Sequence, residues 1–425
     1  MTAIALIDVN NFYASSHLVF DPKLKGKAVV ILSNNDGNCI SRSDAAKKLG
    51  IAMGAPWFQI KDRFKPGLVT ALSSNFPVYA DMSNRVMATI ARFSPECQIY
   101  RVDECWISLA GFGDRDLTAY GRDIKATILQ WTGLPVCVGI SCTHTLAKLA
   151  NHVAKKRPEY TGVCNFNTIT PVALDNLLST IPVGEVWGIG SRLSAKLNQW
   201  GVLTVLDLKQ AHSRTLRDKF SVVMAKTIAE LNGISCLALD QVAPPKQNVA
   251  STRSFGIPVT SIESMIEAVT LYTSRAAEKA RMQQTHANSI SVFIQTSPFA
   301  NLPYYGNCHT AALPSPTNDT RILVKTALWI LKGIYRPGYA YQKAGVLLND
   351  LVPDAGIQRD LFFDVSDAEY SKREKIMATL DAINQRYGRQ TLKLGSEGFN
   401  APWTMKQNFK TPCYTTNWDD LIQAS

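Results

Sequence analysis

Three carboxylates carry the chemistry this sequence could perform. Asp8 closes the apolar run Ile4-Ala5-Leu6-Ile7, and Asp103-Glu104 end the stretch Tyr100-Arg101-Val102-Asp103-Glu104, at the expected turn of a hairpin. A carboxylate at the end of a buried strand is costly to leave unpaired, and adjacent carboxylates in a turn repel each other. Something positive is therefore expected among the three, and a pair of magnesium ions is the candidate. Oxygen ligands from two strands can hold two such ions about 4 Å apart, an arrangement suited to phosphoryl-type transfer, which asks for in-line positioning and charge neutralisation. The plainer alternative is that Asp103-Glu104 is solvent-facing turn punctuation. Strand alternation would put Arg101 on the face of Asp103, where its guanidinium could reach that carboxylate and modulate any metal held there.

The elements that must position these groups follow in order. Ile4 to Val9 reads as a buried strand, followed by a helix start carrying Phe12 and Tyr13, which could equally be core. Lys27 to Leu32 and Cys39 to Ser41 read as strands around the turn Ser33-Asn34-Asn35-Asp36-Gly37, and a short helix with Lys47 and Lys48 runs from Ser43 to Leu49. After a helix over Ala80 to Phe93 come the hairpin strands Gln98 to Val102 and Cys105 to Leu109, a helix Leu117 to Trp131, a strand Val136 to Ser141 and a helix Thr145 to Lys156. This order predicts an α+β, ferredoxin-like βαββαβ sheet with helices on one face. Lys148, Lys155, Lys156 and Arg157 either cap the last helix or bind an anion. Val186-Trp187-Gly188-Ile189-Gly190 with Leu193, Leu197 and Gly201-Val202 predicts a helix-hairpin-helix, whose glycines would let main-chain N–H groups approach a phosphate. A linker over 238–245 precedes a second small α+β region with strands at Val249 to Phe255, Ser289 to Thr296 and Lys343 to Asn349.

The 425 residues carry a net charge of +11, which favours a polyanionic partner, nucleic acid before membrane. Residues from Leu351 onward contain nine Lys/Arg and ten Asp/Glu, so the first 350 residues carry +12 and should meet that polyanion. Nine cysteines without a CxxC pair suggest neither zinc nor a disulfide framework. With no basic leader and no apolar stretch of membrane-spanning length, the chain reads as soluble and cytoplasmic.

Asp8 with Phe12-Tyr13, the Ser33–Gly37 turn, Asp103-Glu104, Gly139-Ile140-Ser141 with Ala147-Lys148, and Trp187-Gly188-Ile189-Gly190 together resemble a Y-family translesion DNA polymerase. Arg253-Ser254-Phe255-Gly256, Thr296-Ser297-Pro298-Phe299 and Tyr414-Thr415-Thr416 extend the likeness along the chain, to the UmuC type. The resemblance implies a right-hand polymerase: a ferredoxin-like palm at 1–15 and 78–166, small fingers at 16–77, a helical thumb at 167–237 and an α+β little finger at 246–350. It also implies a partner-docking segment at 351–425. It makes Asp8, Asp103 and Glu104 catalytic metal ligands for two Mg2+, with the Val9 carbonyl as a further ligand. Tyr13 becomes the steric gate against a ribose 2′-OH, with Phe12 beside it, and Ser41, Lys47 and Lys155 contact the triphosphate. Gly188 and Gly190 of the predicted hairpin, with Arg253 and Arg275 among the basic residues of the second region, are the expected DNA contacts, and Gln358, Leu361 and Phe362 resemble a sliding-clamp motif. Implied partners are primer-template DNA, deoxynucleoside triphosphates, a processed UmuD-type dimer, RecA and the clamp, in error-prone synthesis within a nucleoid-associated SOS response. The chain departs from the pattern at Arg101, where a small residue is usual, at His144 for a frequent Lys, at Asp44 for a Tyr, and at Arg359 for an apolar residue. The alternative is a catalytically weakened relative that binds DNA and acts as a scaffold through its partners.

Overall fold

Runs of aliphatic residues build three sheets in the computed structural model, which describes residues 3–113, 115–239, 246–300, 302–354, 367–399 and 401–421. The chain forms two compact units. One comprises residues 1–33, 37–243 and 409–425; the other comprises 34–36 and 244–408.

The five-stranded sheet of the first unit runs Cys97–Ile99, Glu104–Ser108, Ile4–Val9, Val136–Ser141, Val163–Asn165. The opening strand is thus central, antiparallel to both neighbours, which is why all six of its residues are excluded from solvent. Its alternation sorts two faces. Ala5, Ile7 and Val9 point into a core shared with the helices Phe76–Ile90 and Leu117–Thr132, as the ferredoxin-like order requires. Ile4 and Leu6 join Trp106 and Ala147 on the opposite face, beneath the helix His144–Lys156. The expectation of helices on one face therefore holds for the two helices inside the βαββαβ unit, and the helix that follows it covers the other. Asp8 has the parity of Ile4 and Leu6, so it faces that third helix.

Gly139 lets this helix approach. It pairs with Leu6, and a Cβ there would lie 2.1 Å from the Asn151 nitrogen and 2.3 Å from the Ala147 oxygen. Asn151 in turn donates to the carbonyls of Cys137 at 2.8 Å and Leu6 at 3.3 Å, pinning the helix across two strands. Burying Leu6 and Trp106 here is worth about 1.5–3 kcal/mol per side chain, which helps offset drawing two neighbouring carboxylates out of water.

A smaller sheet places Ala28–Leu32 between Cys39–Arg42 and Val69–Ser73. Short helices from Pro171 to Leu231 pack around Leu178, Leu197, Val205 and Leu208 in a core shared with Leu146, Leu149 and Val153 of the helix His144–Lys156. The second unit is another βαββαβ: its sheet runs Gly306–Thr317, Thr285–Thr296, Tyr341–Pro353, Val249–Val259, antiparallel throughout, with the helices Ile262–Met282 and Thr320–Ile334 packed on its buried core. The strand Gly306–Thr317 and the helix after it were not among the sequence-based expectations. Trp403 is buried in this core, and Arg281 forms a two-pronged ion pair with Asp381 of the helix Asp367–Tyr387. All nine cysteines are free. Among the described residues no helix is long and apolar enough to cross a membrane.

Candidate active site

Antiparallel pairing puts Asp8 directly opposite Glu104 at the ends of the two central strands, and the Val9 N–H donates to the Asp103 carbonyl at 2.9 Å. The predicted carboxylate pair is thereby brought beside Asp8. Lys148 and Lys155, seven residues apart, lie on one face of the helix that covers them. Lys155 Nζ meets Asp8 Oδ1 at 2.5 Å, and Lys148 Nζ meets both Glu104 oxygens at 2.8 and 3.0 Å. Burial, with the adjacent Glu104 and against the pull of Lys155, pushes the Asp8 carboxyl up to about 7. Burial would raise Glu104 as well, but Lys148 holds it below its ordinary value, while burial and the Glu104 charge raise Asp103.

This imbalance has a measurable consequence. An acid whose folded pKa is raised contributes stability below its unfolded pKa of about 3.9 and loses it as pH rises toward the folded value. In chelator, the melting temperature of Asp8→Asn should therefore move upward relative to wild type between about pH 5 and about pH 8. A difference that stays flat across that interval contradicts the burial argument.

Residues 101–103 form a bend rather than a strand, so alternation does not place Arg101 against Asp103 as expected. Its N–H bonds to the Glu104 carbonyl at 3.1 Å and its Nε stands 3.7 Å from Glu104 Oε2, with the guanidinium over the Tyr100 ring and the side chain 59% exposed. Lys148 Nζ lies over both the Tyr100 and the Trp187 rings, 4.9 and 5.6 Å from their centroids, and Trp187 Nε1 donates to the Tyr100 hydroxyl at 3.1 Å. His144, buried against Trp106, lies under this aromatic group.

The helix Phe12–Phe20 starts three residues beyond Val9 and carries Phe12 into the core and Tyr13 half out of it. Burial first, and then the charge of Asp103, raise the Tyr13 hydroxyl pKa, so the ring lies within electrostatic reach of that carboxylate. Ser41 Oγ accepts from the Ala14 N–H at 3.3 Å on the same helix. Lys47 is exposed and paired with Asp44 at 3.0 Å, and Asp44 also accepts from Asn11. Gly188 adopts φ +86, which favours glycine, whereas Gly190 has an ordinary φ of −81 and caps the helix Ser191–Gln199.

In the second unit Arg253 and Arg275 are half-buried neighbours. Burial, Arg253 and Arg389 lower the Arg275 pKa; burial, Arg253, Arg275 and Lys246 lower that of Lys279. Cations pressing on one another in this way suit a polyanion. Gln358, Leu361 and Phe362 lie outside the described residues.

From the sequence Lys148 was open to helix capping or anion binding, and its pairing with Glu104 was not foreseen. Its spacing of seven from Lys155 was the available signal, but which sheet face the helix covers was not.

The donors Asp8, Asp103, Glu104 and the main chain of Val9 are all hard oxygens, which fit a divalent cation such as Mg2+. Among the described residues no three such side chains converge as a ready-made cage, since Asp8 and Glu104 are turned onto lysines.

Residues 7–152 match the model of the impB/mucB/samB family, 246–361 that of its C-terminal domain, 171–202 that of its HHH motif, and 374–424 a domain of unknown function, DUF4113. The chain is 46% identical to Protein UmuC of Salmonella typhimurium (strain LT2) and 42% identical to Protein SamB of Salmonella typhimurium, each match covering 99% of both chains. Its fold is similar to that of a Y-family DNA polymerase chimera, with a TM-score of 0.65 and 19% identity, over 83% of this chain and 99% of that one.

Proposed function

The chain belongs to the impB/mucB/samB family, and from that premise we propose how its residues carry out translesion synthesis. It is a DNA-directed DNA polymerase with the right-hand, α+β fold of the Y family. The observation that carries the mechanism is the facing of Asp8 and Glu104 beside Asp103, with Lys155 and Lys148 on their carboxylates. Asp8, Asp103, Glu104 and the Val9 carbonyl would hold two Mg2+, which when bound lower the pKa of the primer 3′-OH and neutralise charge on the triphosphate.

The rest is the chain's own work. Lys155, Ser41 and Lys47 orient the triphosphate, and Tyr13, backed by Phe12, closes the space where a ribose 2′-OH would sit. The hairpin at Gly188 and Gly190 and the cations Arg253 and Arg275 hold the DNA backbone without reading bases, so a damaged template base is admitted. The domain limits are those read from the sequence: palm 1–15 and 78–166, fingers 16–77, thumb 167–237, little finger 246–350, docking segment 351–425. The same reading assigns an SOS role in the cytoplasm, on the nucleoid, with a processed UmuD-type dimer and RecA as partners and the sliding clamp engaged through Gln358, Leu361 and Phe362.

A second reading, a DNA-binding scaffold with weakened catalysis, draws on Arg101, whose charge 3.7 Å from Glu104 offsets the negative field that attracts cations. Titrating primer extension against magnesium separates them. Arg101→Ser should reach half-maximal extension at a lower magnesium concentration than wild type, with unchanged DNA affinity. An unchanged requirement with weaker DNA binding would instead give Arg101 to a primer phosphate. Absence of extension in both proteins at every concentration would favour the scaffold.

A further inference from the structure

We propose that the C-terminal strap beginning at Phe409 is a positioning element for the sugar gate: through His17 and Tyr79 it sets the ring of Tyr13, and so the discrimination between deoxyribose and ribose. This rests on the reading of Tyr13 as the gate.

The strap docks on the first unit by main-chain and side-chain bonds. Phe409 exchanges bonds with Ser73, its N–H donating to Ser73 Oγ and its carbonyl accepting from the Ser73 N–H, both at 3.0 Å. Asn75 is fully buried at the N-cap of the helix Phe76–Ile90, a position where Asn ordinarily caps with its side-chain oxygen. Here it makes no such bond. Its Nδ2 faces the Thr411 carbonyl, the Thr411 hydroxyl and the Pro412 carbonyl, each at 3.1 Å, and its oxygen accepts from the Cys413 thiol at 3.6 Å. Tyr414 then stacks on Phe20 at the end of the gate helix, with centroids 4.9 Å apart and planes 18° from parallel.

From Thr411 the path to the gate is short. Thr411 Oγ1 lies 3.4 Å from His17 Nδ1, and His17 Nε2 lies 2.7 Å from the Tyr79 hydroxyl. His17 and Tyr79 are both buried, at 1% and 2% exposure, so no water competes for these bonds. Burial pushes the His17 pKa down to about 4, leaving a neutral ring with one donor and one acceptor, and its two hydroxyl partners must take opposite roles. The Tyr79 ring stacks on Tyr13 at 4.4 Å and 28°. His17 also stands four residues after Tyr13, on the same face of its helix. Tyr13 therefore rests on a wall whose angle is fixed by His17, and His17 is fixed from behind by the strap.

The test measures insertion of one deoxynucleotide and its matching ribonucleotide, as kcat and KM separately, with the full chain. In Asn75→Ala/Thr411→Val the ratio of kcat/KM for deoxyribose over ribose should fall about three- to tenfold, the range expected when one ring stack loosens. The change should appear chiefly as a lower KM for the ribonucleotide. Thr411→Ser, which keeps the hydroxyl, should retain the wild-type ratio. A misfolded fraction lowers both rates together and leaves the ratio unmoved; if the double variant does not fold, Thr411→Val alone gives the same comparison. Tyr13→Ala is the control. If it abolishes discrimination while the strap variants match wild type, the strap inference is overturned; if it leaves discrimination intact, the gate reading beneath it fails.

Discussion

Asp103→Asn combined with Glu104→Gln is expected to reduce primer extension by about 10³-fold or more, since charge stabilisation worth several kcal/mol is removed from the reacting centre. The replacements keep the shape of both side chains, and the amide oxygen introduced at position 104 can still accept from Lys148, so the sheet and the covering helix should remain in place. DNA binding should be nearly unchanged, because it rests on cations elsewhere in the +12 portion of the chain. The salt dependence of affinity reports how many phosphates are contacted, and its slope should match that of wild type. Extension at wild-type rates would remove these carboxylates from catalysis; a parallel loss of DNA affinity would show that the variant had disturbed the fold instead.

Tyr13→Ala should admit ribonucleotides with a gain of the order of 10² to 10³ in relative kcat/KM. A ribose hydroxyl held against a packed ring meets overpacking of about 1–3 kcal/mol, plus the cost of an unpaired hydroxyl in the same space. Removing the ring abolishes both penalties. Deoxynucleotide insertion should fall far less, because Phe12, buried behind the gate at 5.5 Å between centroids, and Tyr79 still form its floor. The measurement is single-nucleotide insertion with each sugar, and equal discrimination in variant and wild type would return Tyr13 to the core.

The parts of the fold governed by short-range patterning were legible in the sequence. The apolar run ending at Asp8, the hairpin around Asp103-Glu104 and the helix with its basic end all carry their period in neighbouring residues. The strand Gly306–Thr317 was hidden because it contains Pro314 and Pro316, residues that argue against a central strand. It lies at the edge of its sheet, where a missing N–H costs little. At the site, the approach of Asp8 to Glu104 could be expected from strand ends, but the lysine on each depended on which face the following helix would cover. Arg101 was misplaced because alternation was extended through a bend that belongs to neither strand. The strap after Phe409 has no period to read, and its bonds to Asn75 and His17 span more than 300 residues of sequence.

Primer extension by the purified full chain across a defined abasic site in the template, with magnesium, and with and without the processed UmuD-type dimer and RecA, tests the central claim most directly. Templated addition opposite and beyond the lesion is expected, and it should vanish in chelator and in Asp103→Asn/Glu104→Gln. Tight DNA binding with no nucleotide addition under any of these conditions would contradict it.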